Sequence, residues 1–205
     1  MLRIVDAVRK ARPTLEVRPA WVELVEPDVA TALAAVPPGR RVVVVPLLLC
    51  SGYHDRVDNP AAIPTARPDA LQAAVLGPDP LLAGALADRL AEAGRQPGDA
   101  VVLAAAGSAD PDAVAAVHAQ AELLAAVLDA PVTAAFGSTA APDVRTAVAA
   151  ARPGRVAVAP YLLAPGFFAD RLGDAGADVV AAPLGAHPAV VTLALRRYDE
   201  SSTQG

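Results

Sequence analysis

His54 closes a run, Val42–His54, in which the apolar stretch VVVVPLLLC passes through Ser51, Gly52 and Tyr53 to an imidazole. A valine-rich stretch of that kind reads as a buried parallel strand. It places His54 at the carboxyl edge of the sheet, where open α/β folds bind their ligands. Neutral imidazole is the commonest nitrogen ligand for divalent transition metals, and it titrates near neutrality. The pattern therefore predicts His54 as a metal ligand that can also take up a proton. Asp55 and Asp58 can hold its tautomer or cap the loop. Arg56 can pair with a substrate carboxylate or stay solvated. Cys50 can be a soft ligand, but a small buried hydrophobe is the expectation.

Other candidates are weaker. Gly107 and Ser108, followed by Asp110 and Pro111, form a strand-to-helix turn that can cradle an anion on backbone amides or simply cap a helix. His118 sits mid-helix on an expected solvated face, and His187 precedes a proline where a helix cap is expected. The chain has no Gly-x-Gly-x-x-Gly and no Walker lysine, so nucleotide binding has no motif support. Ser51 and Ser108 lie in no nucleophile elbow.

The elements that must position His54 occur twice. Val42–His54 (VVVVPLLLCSGYH) is answered by Val156–Phe168 (VAVAPYLLAPGFF), so Tyr53-His54 corresponds to Phe167-Phe168. Pro27-Asp28-Val29 and Pro38-Gly39-Arg40 recur as Pro142-Asp143-Val144 and Pro153-Gly154-Arg155, an offset of 115 (27 to 142). Leu76-Gly77, Pro80 and Arg89 recur as Leu184-Gly185, Pro188 and Arg197, an offset of 108 (80 to 188). Two copies of about a hundred residues are too few and too long for a solenoid, and read as two similar α/β domains, 1–95 and 99–200. Only the first copy ends on an imidazole.

Strand and helix alternate throughout. The first copy reads as helix Met1–Arg12, stopped by Pro13, strand Leu15–Val22, helix Pro27–Val36 and strand Arg41–Leu49. A proline-broken segment, Asn59–Pro68, follows, then a weak strand Leu71–Leu76 and helix Pro80–Ala93 capped by Asp79. The second reads as strand Ala100–Ala106, helix Pro111–Asp129, strand Val132–Phe136, helix Pro142–Ala151 and strand Val156–Leu163. It continues with helix Phe167–Ala175, strand Asp178–Ala182 and helix His187–Tyr198, with a frayed tail at Ser201–Gly205. The fold class is α/β, each domain a small parallel sheet flanked by helices. Aligned on the second copy, Met1 falls at about residue 116, so the first domain is expected to be N-terminally truncated. It lacks the counterpart of Val101–Ser108, which supplies the central strand and ligand-side turn of such a sheet.

Composition excludes other classes. Alanine inflates the 54% hydrophobic fraction, and the apolar run Val42–Cys50 is far short of the roughly 18 residues a membrane helix needs. Arg3, Asp6, Arg9 and Lys10 deny the N-terminus a signal-peptide core, so a cytoplasmic location and no membrane partner are expected. Net charge is −5, with no basic block or interleaved aromatics, and no nucleic-acid partner is expected. The single cysteine rules out an intrachain disulfide or a multi-cysteine zinc site.

Three segments together carry a resemblance: Val-Pro-Leu-Leu-Leu-x-x-Gly-Tyr-His-x-x-Val-Asp (Val45–Asp58), Ala-Ala-Ala-Gly-Ser-x-Asp-Pro (Ala104–Pro111) and Tyr-Leu-Leu-Ala-Pro-Gly-Phe-Phe-Ala-Asp-Arg-Leu (Tyr161–Leu172). They resemble the sirohydrochlorin cobalt-/ferrochelatase family, in its long two-repeat actinobacterial form, over essentially the whole chain. The resemblance implies two tandem chelatase-like domains facing one cleft. It also implies insertion of a divalent metal, Co²⁺ or Fe²⁺, into the tetrapyrrole sirohydrochlorin for cobalamin or sirohaem, with the metal as substrate and no organic cofactor. His54 matches one of two family histidines. The other belongs to a His-Gly-Ser turn, which in the second copy reads Ala106-Gly107-Ser108. The implied substrate-binding residues are Ser51, Gly52, Tyr53, Arg56, Asp58 and Ser108. Two fused copies supply a cleft that a single-domain relative would make by dimerising, so a monomer or weak homodimer is expected. A non-catalytic tetrapyrrole- or metal-binding protein is the alternative.

Overall fold

The computed structural model describes residues 1–22, 25–51, 63 and 65–203. The first copy contributes α1 (Leu2–Ala11), α2 (Val29–Ala34), β1 (Val43–Val44), β2 (Leu71–Gln72) and α3 (Pro80–Glu92). The second contributes β3 (Ala100–Ala105), α4 (Pro111–Leu128), β4 (Val132–Phe136), α5 (Val144–Ala150), β5 (Val156–Pro160), α6 (Phe167–Leu172), β6 (Val179–Val180) and α7 (Pro188–Ser202). All strand pairs are parallel. One sheet is β1-β2 and the other runs β4-β3-β5-β6. Helices α3, α4 and α7 each begin with proline at the first turn, where its missing N–H costs nothing. Each is capped by the side chain before it: Asp79, Asp110 and His187 accept from the amides of Leu81, Asp112 and Ala189.

The repeat persists at atomic resolution. Trp21 N donates to Pro27 O at 3.1 Å, and Phe136 N donates to Pro142 O at 3.0 Å. Asp28 then accepts from the Thr31 amide at 2.6 Å, and Asp143 from Thr146 at 3.0 Å. These caps hold both carboxyls below the usual carboxylate range, through the threonine hydrogen bonds.

The halves differ where the sequence pattern is most alike. Leu15–Val22 forms no strand, only a single bridge from Trp21 to Asp28, and the strand expected over Arg41–Leu49 shortens to Val43–Val44. In the second half β3 lies between β4 and β5 and hydrogen-bonds both. Among the described residues no strand stands between Trp21 and β1, so neither has that neighbour to pair with. Val43 and Val44 are accordingly half-buried, whereas every residue of β5 is buried. The chain beyond β1 stays extended along β2: Ala73 N donates to Val44 O at 2.8 Å and Leu76 N to Leu48 O at 2.8 Å. Two smaller expectations also change. The helix after Gly166 stops at Leu172 and continues as a 3₁₀ turn, Gly173–Ala175. The last helix runs through Ser202 rather than fraying, with Ser201 and Ser202 hydroxyls donating to Arg197 O and Tyr198 O. Half of Asn59–Pro68, residues 59–62 and 64, lies outside the described residues.

The repeat boundary in sequence is not a boundary in packing. Helix α3, from the first copy, lies on α4 and β5 of the second, while α7 lies on α1, β1 and β2 of the first. One apolar core therefore joins Ile4, Leu82, Leu86, Leu103, Leu124 and Leu193. A second core, including Val102, Val148, Val158 and Leu172, fills the other face of the four-stranded sheet. Two equivalent arginines, one on each exchanged helix, stitch the halves reciprocally. Arg89 Nη2 donates to Leu184 O at 3.0 Å, and Arg197 Nη2 donates to Leu76 O at 3.3 Å. Arg197 Nε adds a bond to Val75 O at 2.9 Å, and its Nη2 lies 3.4 Å from Asp79 Oδ2, which also pairs with Arg196. Removing a buried donor leaves carbonyls unsatisfied at about 1–3 kcal/mol in all. Arg197→Met should therefore lower stability by about 2–3 kcal/mol, and Arg89→Met by about 1 kcal/mol, since Arg89 serves one inter-half carbonyl. Urea unfolding midpoints of the two variants check the order.

Candidate functional site

The two repeat-equivalent strand ends meet in one cavity of about 350 Å³. Leu47–Cys50 enter from the first copy and Tyr161–Ala164, their counterparts, from the second. The turn Ala106-Gly107-Ser108 after β3 forms the edge between them, and Val114, Val117 and Phe136 lie behind. Met1 completes the lining. The site thus gathers at the carboxyl ends of parallel strands, the side at which such sheets bind ligands.

Local chemistry fixes each wall. Gly107 has φ +101°, and a Cβ there would stand 2.0 Å from Ser138 O, so only glycine fits. Ser138 Oγ donates to Ala106 O at 2.9 Å and holds the turn from the other side. Ser108 Oγ accepts from the Asp110 amide at 3.1 Å, and Asp110 caps α4, so the turn's polar groups serve the helix start. The Leu47–Cys50 wall is held by the opposite half. Tyr161 Oη donates to Leu49 O at 2.8 Å and lies 3.4 Å from Gln120 Oε1. Gln120, fully buried on α4, accepts from Asp79 N at 2.9 Å and donates from Nε2 to Asp79 O at 3.3 Å. Gly77 must be glycine here, because a Cβ would fall 2.1 Å from Tyr161 Oη and 2.5 Å from Leu49 O. Burial pushes the Tyr161 phenol far up, so it stays a neutral donor.

Of the side chains that line the cavity, Ser108 Oγ and Tyr161 Oη are hydrogen-bonded, and most of the rest are aliphatic or aromatic. Burial, followed by the nearby Asp110 charge, raises the Cys50 thiol above its ordinary value. At neutral pH, with no metal bound, it is a protonated, weakly polar wall atom. Such a cavity suits a flat apolar ring face.

Of the residues singled out from sequence, Cys50, Gly107 and Ser108 line this cavity, and Ser51 is the last described residue before Gly52. Gly52, Tyr53, His54, Asp55, Arg56 and Asp58 lie outside the described residues. His118 is on the solvated face of α4, its ring centroid 5.8 Å from that of Phe136. His187 caps α7, and its Nε2 is 3.3 Å from Asp88 Oδ2. Sequence reading missed Tyr161 and Gln120. The available signals were a phenol at the position where the first copy has Leu47, and a lone polar residue on the buried stripe of α4. Among the described residues no helix is long and apolar enough to cross a membrane, and no three His, Cys, Asp or Glu side chains cluster as a metal site.

A family model described as CbiX matches residues 1–93 and, a second time, residues 100–201. Among solved structures, SirB from Bacillus subtilis with Fe³⁺ superposes with a TM-score of 0.84 at 24% identity, over 98% of this chain and 88% of that one. The sirohydrochlorin chelatase SirB from Bacillus subtilis subspecies spizizenii in complex with cobalt gives 0.77 at 23% identity, again over 98% and 88%. DR2241 from Deinococcus radiodurans, a multi-domain protein with structural similarity to chelatases and two additional novel domains, gives 0.75 at 21%, over 98% of this chain and 50% of that one. No curated protein matches the chain.

Two outcomes check the site's wiring. Tyr161→Phe removes a buried donor to Leu49 O and should cost about 1–2 kcal/mol in urea unfolding. Cys50 should react with iodoacetamide at neutral pH far more slowly than a free thiol, and accelerate as pH rises past the ordinary thiol range; a rate matching free cysteine would contradict the neutral wall.

Proposed function

This chain belongs to the CbiX family, and we propose that it inserts a divalent metal, Co²⁺ or Fe²⁺, into sirohydrochlorin, toward cobalamin or sirohaem. The observation that carries the reading is the convergence of the two equivalent strand ends on one apolar cleft, one of them continuing directly to Gly52-Tyr53-His54. The likeness of the fold to SirB structures that hold Fe³⁺ and cobalt supports it.

Insertion requires two pyrrole N–H protons to leave while the metal sheds water. The apolar walls can hold the macrocycle face and exclude solvent, which leaves metal delivery and proton uptake to a group at the mouth. His54 is that group: neutral imidazole presents a nitrogen to the metal substrate and accepts a pyrrole proton once the metal has moved on. Ser51, Gly52, Tyr53, Arg56, Asp58 and Ser108 are its proposed substrate-binding neighbours. The reaction needs no organic cofactor. The cleft lies within one chain, so a monomer or weak homodimer suffices, in a cytoplasmic setting.

A second reading, a non-catalytic tetrapyrrole- or metal-binding protein, draws on one observation: the second-copy turn offers Ala106, and Phe168 takes the repeat position of His54, so the second copy supplies an imidazole at neither position. One experiment separates the two. The full chain, Co²⁺ and metal-free sirohydrochlorin are mixed and the absorbance change is followed. Acceleration over metal alone, lost by about tenfold or more in His54→Ala, is expected. Saturable tetrapyrrole binding without acceleration selects the second reading; an unchanged rate in His54→Ala removes that residue from the mechanism.

A further inference from the structure

Three phenylalanines occur in this aromatic-poor chain, and their environments differ sharply. Phe136 is 1% exposed in the core, whereas Phe167 is 67% and Phe168 36% exposed. Leu172, one turn further along α6, is buried, so α6 is already anchored without them. The two rings meet edge to face, 5.5 Å between centroids. Phe168 is fixed against the cavity rim: a Cβ at Gly137 would lie 2.9 Å from its Cδ1 and 3.3 Å from Ala106 O, and Ala106 lines the cavity. Leu163 and Ala164, which lead into this pair, line the cavity as well. The Arg171 guanidinium lies over the Phe167 ring, 5.4 Å from its centroid. Among the described residues it makes no ion pair or hydrogen bond, which leaves its N–H groups available.

We propose that Phe167, Phe168 and Arg171 form a landing wall at the cleft mouth for a carboxylate-bearing tetrapyrrole. This assignment rests on the chelatase reading of the cleft. Exposed aromatic rings beside an apolar cavity complement a flat conjugated face, which they meet by offset or edge-on contact. A guanidinium held over a ring keeps its donor edge outward, where it can take a peripheral carboxylate in bidentate fashion. Ring and cation sit one helical turn apart, so a single ligand can engage its apolar face and its acidic rim together. On this account the second copy, with phenylalanine where the first has His54, contributes tetrapyrrole affinity and no metal chemistry.

The test titrates metal-free sirohydrochlorin into the full chain and into Phe167→Ala, Arg171→Gln and Arg171→Lys, alongside thermal midpoints and the KM for Co²⁺. Phe167→Ala and Arg171→Gln should each weaken tetrapyrrole binding about fivefold to tenfold. Arg171→Lys should recover part of the loss, and the thermal midpoint and the KM for Co²⁺ should stay in place, because both side chains are exposed. Wild-type tetrapyrrole affinity in the variants overturns the landing wall and leaves the chelatase reading standing. A shift confined to the thermal midpoint or to the KM for Co²⁺ also overturns it. A wild-type chain that neither binds sirohydrochlorin nor accelerates its metallation overturns both.

Discussion

The exchange of α3 and α7 between the two copies is the constraint from which the rest of the molecule follows. Each copy's last helix covers its partner's sheet, so the larger apolar core is built from both copies, while the core on the other face of the four-stranded sheet lies within the second. Arg89 to Leu184 O and Arg197 to Leu76 O repeat one contact about a pseudo-two-fold relation. The pairing is not fully symmetric. Asp79 caps α3 and meets Arg196, whereas His187 caps α7 and meets Asp88, so the acidic and basic partners have traded places between equivalent positions. A polar pair across each contact preserves the geometry while the residue types diverge.

That exchange also makes the cleft. With α3 laid over α4 and β5, the Asp79 end of the first copy reaches Gln120 and Tyr161 of the second, and Tyr161 in turn holds Leu49. A buried, fully partnered polar knot of this kind fixes register better than apolar contact alone, because a shift would strand several donors and acceptors at once. It clamps the chain just ahead of Ser51. The proposed division of labour follows: both copies supply apolar walls, the first adds the imidazole and the second the aromatic rings.

The alternation of element types, the helix caps at Asp79 and His187, and the repeat were legible because each depends on local pattern. Strand β4 was read with the bounds it has, Val132–Phe136, since it lies in a complete four-stranded sheet. Leu15–Val22 and Arg41–Leu49 were read as strands on equally good local grounds, but a strand exists only where a neighbour completes its ladder, and periodicity does not report on neighbours. The helix exchange was illegible for the same reason: Arg89 and Arg197 align as repeat equivalents, yet nothing in their spacing says that each bonds the opposite copy. Of the site, a cleft shared by both copies was what the family resemblance implied, and Cys50 and the Ala106–Ser108 turn line one cavity. Tyr161 and Gln120 escaped because their polar atoms are spent on carbonyls and amides distant in sequence.

The central claim is that both copies face one ligand in a shared cleft. Hydrogen–deuterium exchange of the full chain with and without cobalt-sirohydrochlorin tests it most directly. The account predicts added protection in Leu47–Ser51, in Ala106–Ser108 and in Leu163–Phe168 together. Protection confined to one copy, or absent from all three segments under saturating ligand, would contradict it.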